Sequence, residues 1–208
     1  MIRLSSVIPA LLCLIVDVQA GEEKVALRFE KLGAVVKRDK KLPGSPVISI
    51  ILPSNIKDAD LKDIGELKDL TYLQIGGAEG LTDEGLKELV GLKKLESLFL
   101  YRTPVTDAGL KHLSEMKELR ELNLEMTRVN GSGLRHLANN NKKLTFLNLA
   151  HTPMTDDGLR EMALNPGFQN LTTIYLLGCK SVTNEAVVNL KKSREKCMVF
   201  NADGGLVK

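Results

Sequence analysis

Tryptophan is absent from this sequence, and rings of any kind are scarce: five Phe and three Tyr in 208 residues. A core organised around large aromatic side chains is therefore excluded. Cysteine occurs three times, as Cys13, Cys179 and Cys197, too few for a disulfide-stapled miniprotein. Proline (7) is sparse and glycine (17) is near its ordinary share, which excludes collagen-like and low-complexity chains. Neither sign of charge dominates, since 29 basic and 26 acidic residues leave a net charge of +3 spread along the chain. No run of Lys or Arg is long enough to track phosphates and no nucleic-acid-binding motif occurs, so nucleic acid is not an expected partner. HExxH, CxxC, GxSxG and Walker patterns are missing as well, and no metal or cofactor is implied.

One long apolar run exists, at the N-terminus. Met1-Ile2-Arg3 makes a short positive start, and Leu4 to Val16 is largely apolar. As a helix that run would be about 20 Å long, too short for a ~30 Å hydrocarbon core. Val18-Gln19-Ala20 puts small residues at the −3 and −1 positions of a cleavage site before Gly21. Residues 1–20 therefore read as a secretory signal peptide, with an uncleaved anchor as the alternative. Export to the periplasm or the exterior follows, without stable membrane insertion once the signal is removed. A lipoprotein reading on Cys13 is disfavoured because Leu11-Leu12 precede it. Export would permit a Cys179–Cys197 disulfide; the simpler reading is two small buried thiols.

Leucine is what the chain has in excess, at 36 residues. Its leucines repeat. The pattern Leu-x-x-Leu-x-Leu matches Leu70, Leu73, Ile75; Leu95, Leu98, Leu100; Leu119, Leu122, Leu124; Leu144, Leu147, Leu149; and Leu171, Ile174, Leu176, with a first copy at Val47, Ile50, Leu52. The starts lie 23, 25, 24, 25 and 27 residues apart. An apolar residue follows each strand after a turn (Ile56, Leu81, Val105, Val129, Met154, Val182). Thr-Asp-x-Gly-Leu comes next in three copies, at Thr82–Leu86, Thr106–Leu110 and Thr155–Leu159. A spacing of two followed by three to four predicts strand, turn and helix in each unit. Thr and Asp at the helix start suit N-cap and first-turn positions. One unit cannot bury its apolar strip alone, so units must stack: an α/β right-handed solenoid of about six repeats, with a parallel concave sheet and convex helices.

The runs LTDEGLKELVGLKKLESLFL (81–100) and VTDAGLKHLSEMKELRELNL (105–124) resemble bacterial leucine-rich-repeat proteins of the kind common in planctomycetes. LLGCKSVTNEAV (176–187) is similar to the cysteine-containing, ribonuclease-inhibitor-like subclass. The resemblance implies the fold and says little about activity. The fourth copy departs from it, with Val129-Asn130-Gly131-Ser132-Gly133 and Asn139-Asn140-Asn141. The fifth carries Asn165-Pro166-Gly167; altered convex turns are expected at both. Residues 21–45 read as an N-terminal cap (helix Glu22–Leu32, Gly33 as its C-cap, a strand near Ala34–Lys37). Repeats then fill 46–196, and 197–208 read as a last strand, Cys197–Phe200, and a frayed tail.

Alternate strand residues point to the concave surface. They form three rows: Ser49, Tyr72, Ser97, Glu121, Phe146, Thr173; Ile51, Gln74, Phe99, Asn123, Asn148, Tyr175; and Pro53, Gly76, Tyr101, Glu125, Ala150, Leu177. Five of the eight aromatics fall there, which makes them candidate anchors for a protein or peptide partner. The candidate site is Tyr72, Gln74, Phe99, Tyr101, Arg102, Glu121, Asn123, Glu125, Phe146, Asn148, His151 and Tyr175. The alternative is that these rings only pack on one another along the sheet. Two further functions stay open, a carbohydrate or envelope-polymer binder using the same rings and a scaffold using the convex helices. Behind the strands, Asn55, Ala78, Thr103, Thr127, Thr152 and Cys179 read as a ladder that caps turn backbone. Catalysis finds no support: His112 and His136 share a solvent-facing helix slot, and no nucleophile neighbours His151. A monomeric, non-enzymatic recognition module is the expectation.

Overall fold

The computed structural model of the protein describes residues 20–138 and 141–207. The targeting segment, Ala20 apart, and Asn139-Asn140 lie outside the described residues. Helix α1 covers residues 20–31. Nine strands follow: β1 (Val35–Arg38), β2 (Val47–Ile51), β3 (Tyr72–Gln74), β4 (Ser97–Phe99), β5 (Glu121–Asn123), β6 (Phe146–Asn148), β7 (Thr173–Tyr175), β8 (Met198–Phe200) and β9 (Leu206–Val207). They form one sheet in sequence order. β2 to β8 are parallel, and β1 and β9 close the two ends antiparallel.

The register is the one the leucine pattern predicts. Ile50, Leu73, Leu98, Leu122, Leu147, Ile174 and Val199 stand opposite one another across successive strands, all fully buried. Leu70, Leu95, Leu119 and Ile75, Leu100, Leu124 make parallel ladders on either side. Each such side chain contributes about 1.5–3 kcal/mol when fully buried, and only stacking provides that burial.

The form of the convex segment changes along the solenoid. The second and third repeats close with 3-10 turns at Gly85–Gly91 and Gly109–Leu113 rather than α-helices. The fourth carries a single α turn, α2 (Arg135–Ala138). The 27-residue fifth repeat has room for α3 (Asp156–Leu164) and a 3-10 turn at Pro166–Phe168. α4 (Asn184–Ser193) follows in the sixth.

Two threonines cap as expected, Thr155 Oγ1 accepting from Gly158 N and Thr183 Oγ1 from Ala186 N, whereas Thr82 and Thr106 precede 3-10 turns and accept from the N–H two residues on, Glu84 N and Ala108 N. The aspartates do something else. Asp58 accepts from both the backbone N–H and the hydroxyl of Thr82, at 2.7 and 2.6 Å. Asp83 does the same for Thr106, and Asp156 for Thr183. Each carboxylate thus clamps the turn of the following repeat instead of capping its own helix. The glycine of the motif belongs to this clamp, since a Cβ on Gly85 or Gly109 would lie 2.4 Å from Oδ1 of Asp58 or Asp83.

The departing fourth repeat is where the clamp changes. Asp107 accepts from three backbone N–H groups, those of Asn130, Gly131 and Gly133. The position equivalent to Asp is Gly131, at φ 103°, where a Cβ would meet Gly158 Cα at 2.6 Å. The next turn is therefore held only by a backbone carbonyl: Thr155 donates its N–H (3.2 Å) and its hydroxyl (3.3 Å) to Asn130 O. Asn141 fills a core slot used elsewhere by Leu92 and Met116. It is 1% exposed, and its Nδ2 donates to the carbonyls of Leu113 and Met116 in the repeat before.

Both ends are covered. α1 buries Val25, Ala26 and Phe29, and Gly33 (φ 91°) ends it, with Ala34 N donating to Phe29 O. At the other end the predicted frayed tail is corrected. Leu206–Val207 form β9 against β8, reached by a turn in which Asn201 Oδ1 accepts from Asp203 N and Gly205 N. β8 would otherwise leave a row of unpaired backbone groups. Cys179 and Cys197 are free, buried thiols. No helix among the described residues is long and apolar enough to cross a membrane.

Candidate functional site

The predicted rows assemble as rows. Ser49, Tyr72, Ser97, Glu121, Phe146 and Thr173 are in register, and so are Ile51, Gln74, Phe99, Asn123, Asn148 and Tyr175. Both continue onto β8 as Met198 and Phe200. The third row is held by the bonds that extend the ladder past the strand ends: Gly77 N to Tyr101 O, Arg102 N to Glu125 O and Met126 N to Ala150 O.

The five aromatics are half-buried rather than exposed: four pack on one another across strands, and Tyr101 is held by Gln74 and Gly76 instead. Tyr72 and Phe99 lie 5.3 Å apart between ring centroids, and Phe146 and Tyr175 lie 5.7 Å apart. Phe200 stacks on Tyr175 at 4.5 Å, nearly parallel. Phe200 therefore belongs to the surface, a place that continuing the row into the last strand would have revealed. Of the eight rings only Phe29 and Phe168 are core residues.

Polar groups tie the first aromatic cluster together. Tyr72 Oη donates to Gln74 Oε1 (2.9 Å), and Gln74 Nε2 donates to Tyr101 Oη (3.0 Å). Burial first, then Tyr101 and Glu121, push the Tyr72 phenol above its ordinary value, so it stays a donor. Tyr101 lies across Gly76, where a Cβ would sit 2.1 Å from the ring. Glycine is required there to admit the tyrosine.

Between the two clusters runs β5. Glu121 accepts from Ser97 Oγ at 3.0 Å, and Glu125 from Asn148 Nδ2 at 3.2 Å. Asn123 and Asn148 each turn their Oδ1 to the backbone N–H two residues on, Glu125 N and Ala150 N, at 2.9 Å. These asparagines brace the strand ends and are less available to a ligand than the sequence suggests.

Arg102 and His151 are not on the face. Together with Met126 they occupy one slot per repeat just past the strand, at φ 55–58°, where neighbouring repeats have Gly77 and Gly178. That left-handed turn throws their side chains out along a rim, all three exposed. Arg102 Nε lies 3.3 Å from Met126 Sδ. The His151 ring covers Gly178, whose Cβ would lie 2.2 Å from Nδ1.

The ladder behind the strands forms as expected where it is threonine. Thr103, Thr127 and Thr152 are buried and donate to the carbonyls of Leu100, Leu124 and Leu149. Cys179 continues it, its Sγ bonding to Leu149 O, whereas Asn55 is exposed and takes no part. His112 and His136 are half-buried, not fully solvent-facing. Burial, then Lys111 and Lys87, lower the His112 pKa. Among the described residues no group of three or more His, Cys, Asp or Glu converges as a metal site would.

Stacked parallel strands, inward leucine ladders and a short convex segment per layer define a leucine-rich-repeat solenoid, a scaffold whose sheet side offers an extended binding surface. Comparisons with known proteins agree on the fold. The family described as Leucine Rich repeat matches residues 67–90 and 140–163. A leucine-rich-repeat protein of Leptospira interrogans superposes with a TM-score of 0.52 at 20% identity, over 73% of this chain and 36% of that one. Internalin C2 of Listeria monocytogenes superposes with a TM-score of 0.51 at 14% identity, over 76% of each chain. This chain thus spans little more than a third of the Leptospira protein, and at these identities the likeness is one of fold alone. No curated protein matches the chain by sequence.

Proposed function

We propose that the chain is an exported, non-catalytic, monomeric recognition module that binds a protein or peptide on its concave sheet, and that it belongs with the ribonuclease-inhibitor-like repeats its last units resemble. One observation carries the concave reading: six of the eight aromatics, Tyr72, Phe99, Tyr101, Phe146, Tyr175 and Phe200, lie half-buried along a single face while the core uses two. Half-buried rings fixed by neighbours offer large contact area at little further entropic cost on binding. The test is affinity capture from envelope extracts with the wild type and with Tyr101→Ala/Phe146→Ala. We expect the double variant to keep its fold and lose the captured partner. Unchanged capture moves the site off the sheet. Export is tested separately by the N-terminus of the mature protein, with Gly21 expected; Met1 there sinks it.

The convex-scaffold reading has its own observation. Leu159, Ala163, Leu164, Ala186 and Leu190 line a groove of about 390 Å³ between α3 and α4, and Leu164 is 77% exposed. Leu164→Glu leaves concave-face capture unchanged under the first reading and abolishes partner capture under the second.

A further inference from the structure

The concave rows are nearly free of charge, and the charge they carry has one sign. Across β2 to β7 all three rows contain only two ionisable carboxylates, Glu121 and Glu125, and no Lys, Arg or His. In a chain with more basic than acidic residues, that is a local reversal. Among the described residues neither carboxylate has an ion-pair partner; the pairs form elsewhere, such as Arg120 with Glu96 and Lys143 with Glu118. Their only hydrogen bonds there come from Ser97 and Asn148, each to Oε2. Arg102 and His151 stand on the rim, and Lys37, opposite Ser49 on β1, lies at the far edge of the sheet.

Each carboxylate also has a ring beside it. Glu121 is in register with Phe146 on the next strand. Glu125 lies against the strand end that carries Tyr101, whose neighbour Arg102 donates its N–H to Glu125 O. A carboxylate next to an aromatic face receives a long cationic side chain in both its parts, the charged head on the oxygen and the alkyl stem on the ring. An anionic ligand meets repulsion at the same two points. The carboxylates are four residues apart, Glu121 on β5 and Glu125 two residues past its end, where the ladder bonds continue through Leu124 N to Asn148 O and Met126 N to Ala150 O; at an extended rise of about 3.3 Å per residue that is about 13 Å.

Resting on the concave-face reading, we propose that the occupant is an extended basic segment of another polypeptide, seated along β5 with two Lys or Arg side chains four residues apart on Glu121/Phe146 and Glu125/Tyr101. An extended chain has the same rise as β5, so that spacing in the ligand matches the spacing of the carboxylates.

The test uses fluorescently labelled Gly/Ser peptides of equal length with two Lys four residues apart, two adjacent Lys, or two Glu four residues apart. They are titrated into the wild type, Glu121→Gln/Glu125→Gln, and Tyr101→Ala/Phe146→Ala. Glutamine still accepts from Ser97 and Asn148, so the first variant keeps the face intact, and thermal melts check that both do. We expect the spaced-Lys peptide to bind tightest, about tenfold weaker to the glutamine pair and with a shallower salt dependence. Equal binding of Lys and Glu peptides, or no loss in the glutamine pair, overturns the basic occupant. If the aromatic pair still weakens binding in that case, the concave site survives. Spaced-Lys binding untouched by either variant overturns both, and no binding by any peptide overturns the proposal.

Discussion

Asp107 shows how much one side chain can hold in this fold. Its carboxylate accepts three backbone N–H groups of the following repeat, in a turn that has no threonine hydroxyl to share the task. Asp107→Ala leaves all three without that partner, and we expect a loss on the order of 2–4 kcal/mol in urea denaturation. Asp157→Ala breaks only a surface pair with Arg160 and should cost about 0.5 kcal/mol or less. Cys197 offers a second residue-level test. Burial raises its pKa to about 11, against the opposing pull of Lys191 and Arg194. A thiol raised in the folded state favours folding while it is protonated. Its contribution is whole below the unfolded-state value and falls as pH climbs from there toward about 11. The denaturation midpoint should drop over that window, and Cys197→Ser should flatten the drop. Alkylation at neutral pH should require unfolding.

At the scale of elements, the decisive parts are the two that close the ends. β9 contributes only Leu206–Val207, yet it pairs the outer edge of β8. Truncation after Ala202 exposes that edge, and we expect a lower Tm together with self-association visible by light scattering. The N-terminal end relies on a side chain instead. Phe29, a fully buried residue of α1, is the largest apolar group with which that helix covers the first layer. Phe29→Ala should cost about 3–5 kcal/mol. The convex segments behave differently, since repeats of equal length take different forms: the second and fourth both span 25 residues, yet one closes in a 3-10 turn and the other in α2.

At the scale of the whole molecule, stability passes from layer to layer, so the layer with the weakest clamp sets where the solenoid opens. That layer joins residues 129–133 to 154–158, where a carbonyl of Asn130 replaces the usual carboxylate. Native-state hydrogen exchange should show separate protection on its two sides. Restoring the motif does not repair it. Gly131→Asp places a side chain at φ 103° and against the backbone of Gly158, so we expect destabilisation despite the matching sequence.

The layers, their register and the inward ladders are written in the sequence, because a three-residue strand with period two has one way to hide Leu73, Leu98 and Leu122 together. The membership of the concave rows follows from that register. Three matters are decided only by the tertiary structure, since each depends on a neighbour one repeat away. Asp83, Asp107 and Asp156 read as helix-start residues within their own unit, and only stacking turns them onto the next. Arg102 and His151 share the strand's sequence context, but the left-handed turn moves them to the rim. Above all, rings that a linear reading leaves exposed become half-buried against their neighbours, and Glu121 and Glu125 come to lie between two aromatic clusters with no ion pair among the described residues. Periodicity determines which residues share a face; only packing between repeats determines what that face can hold.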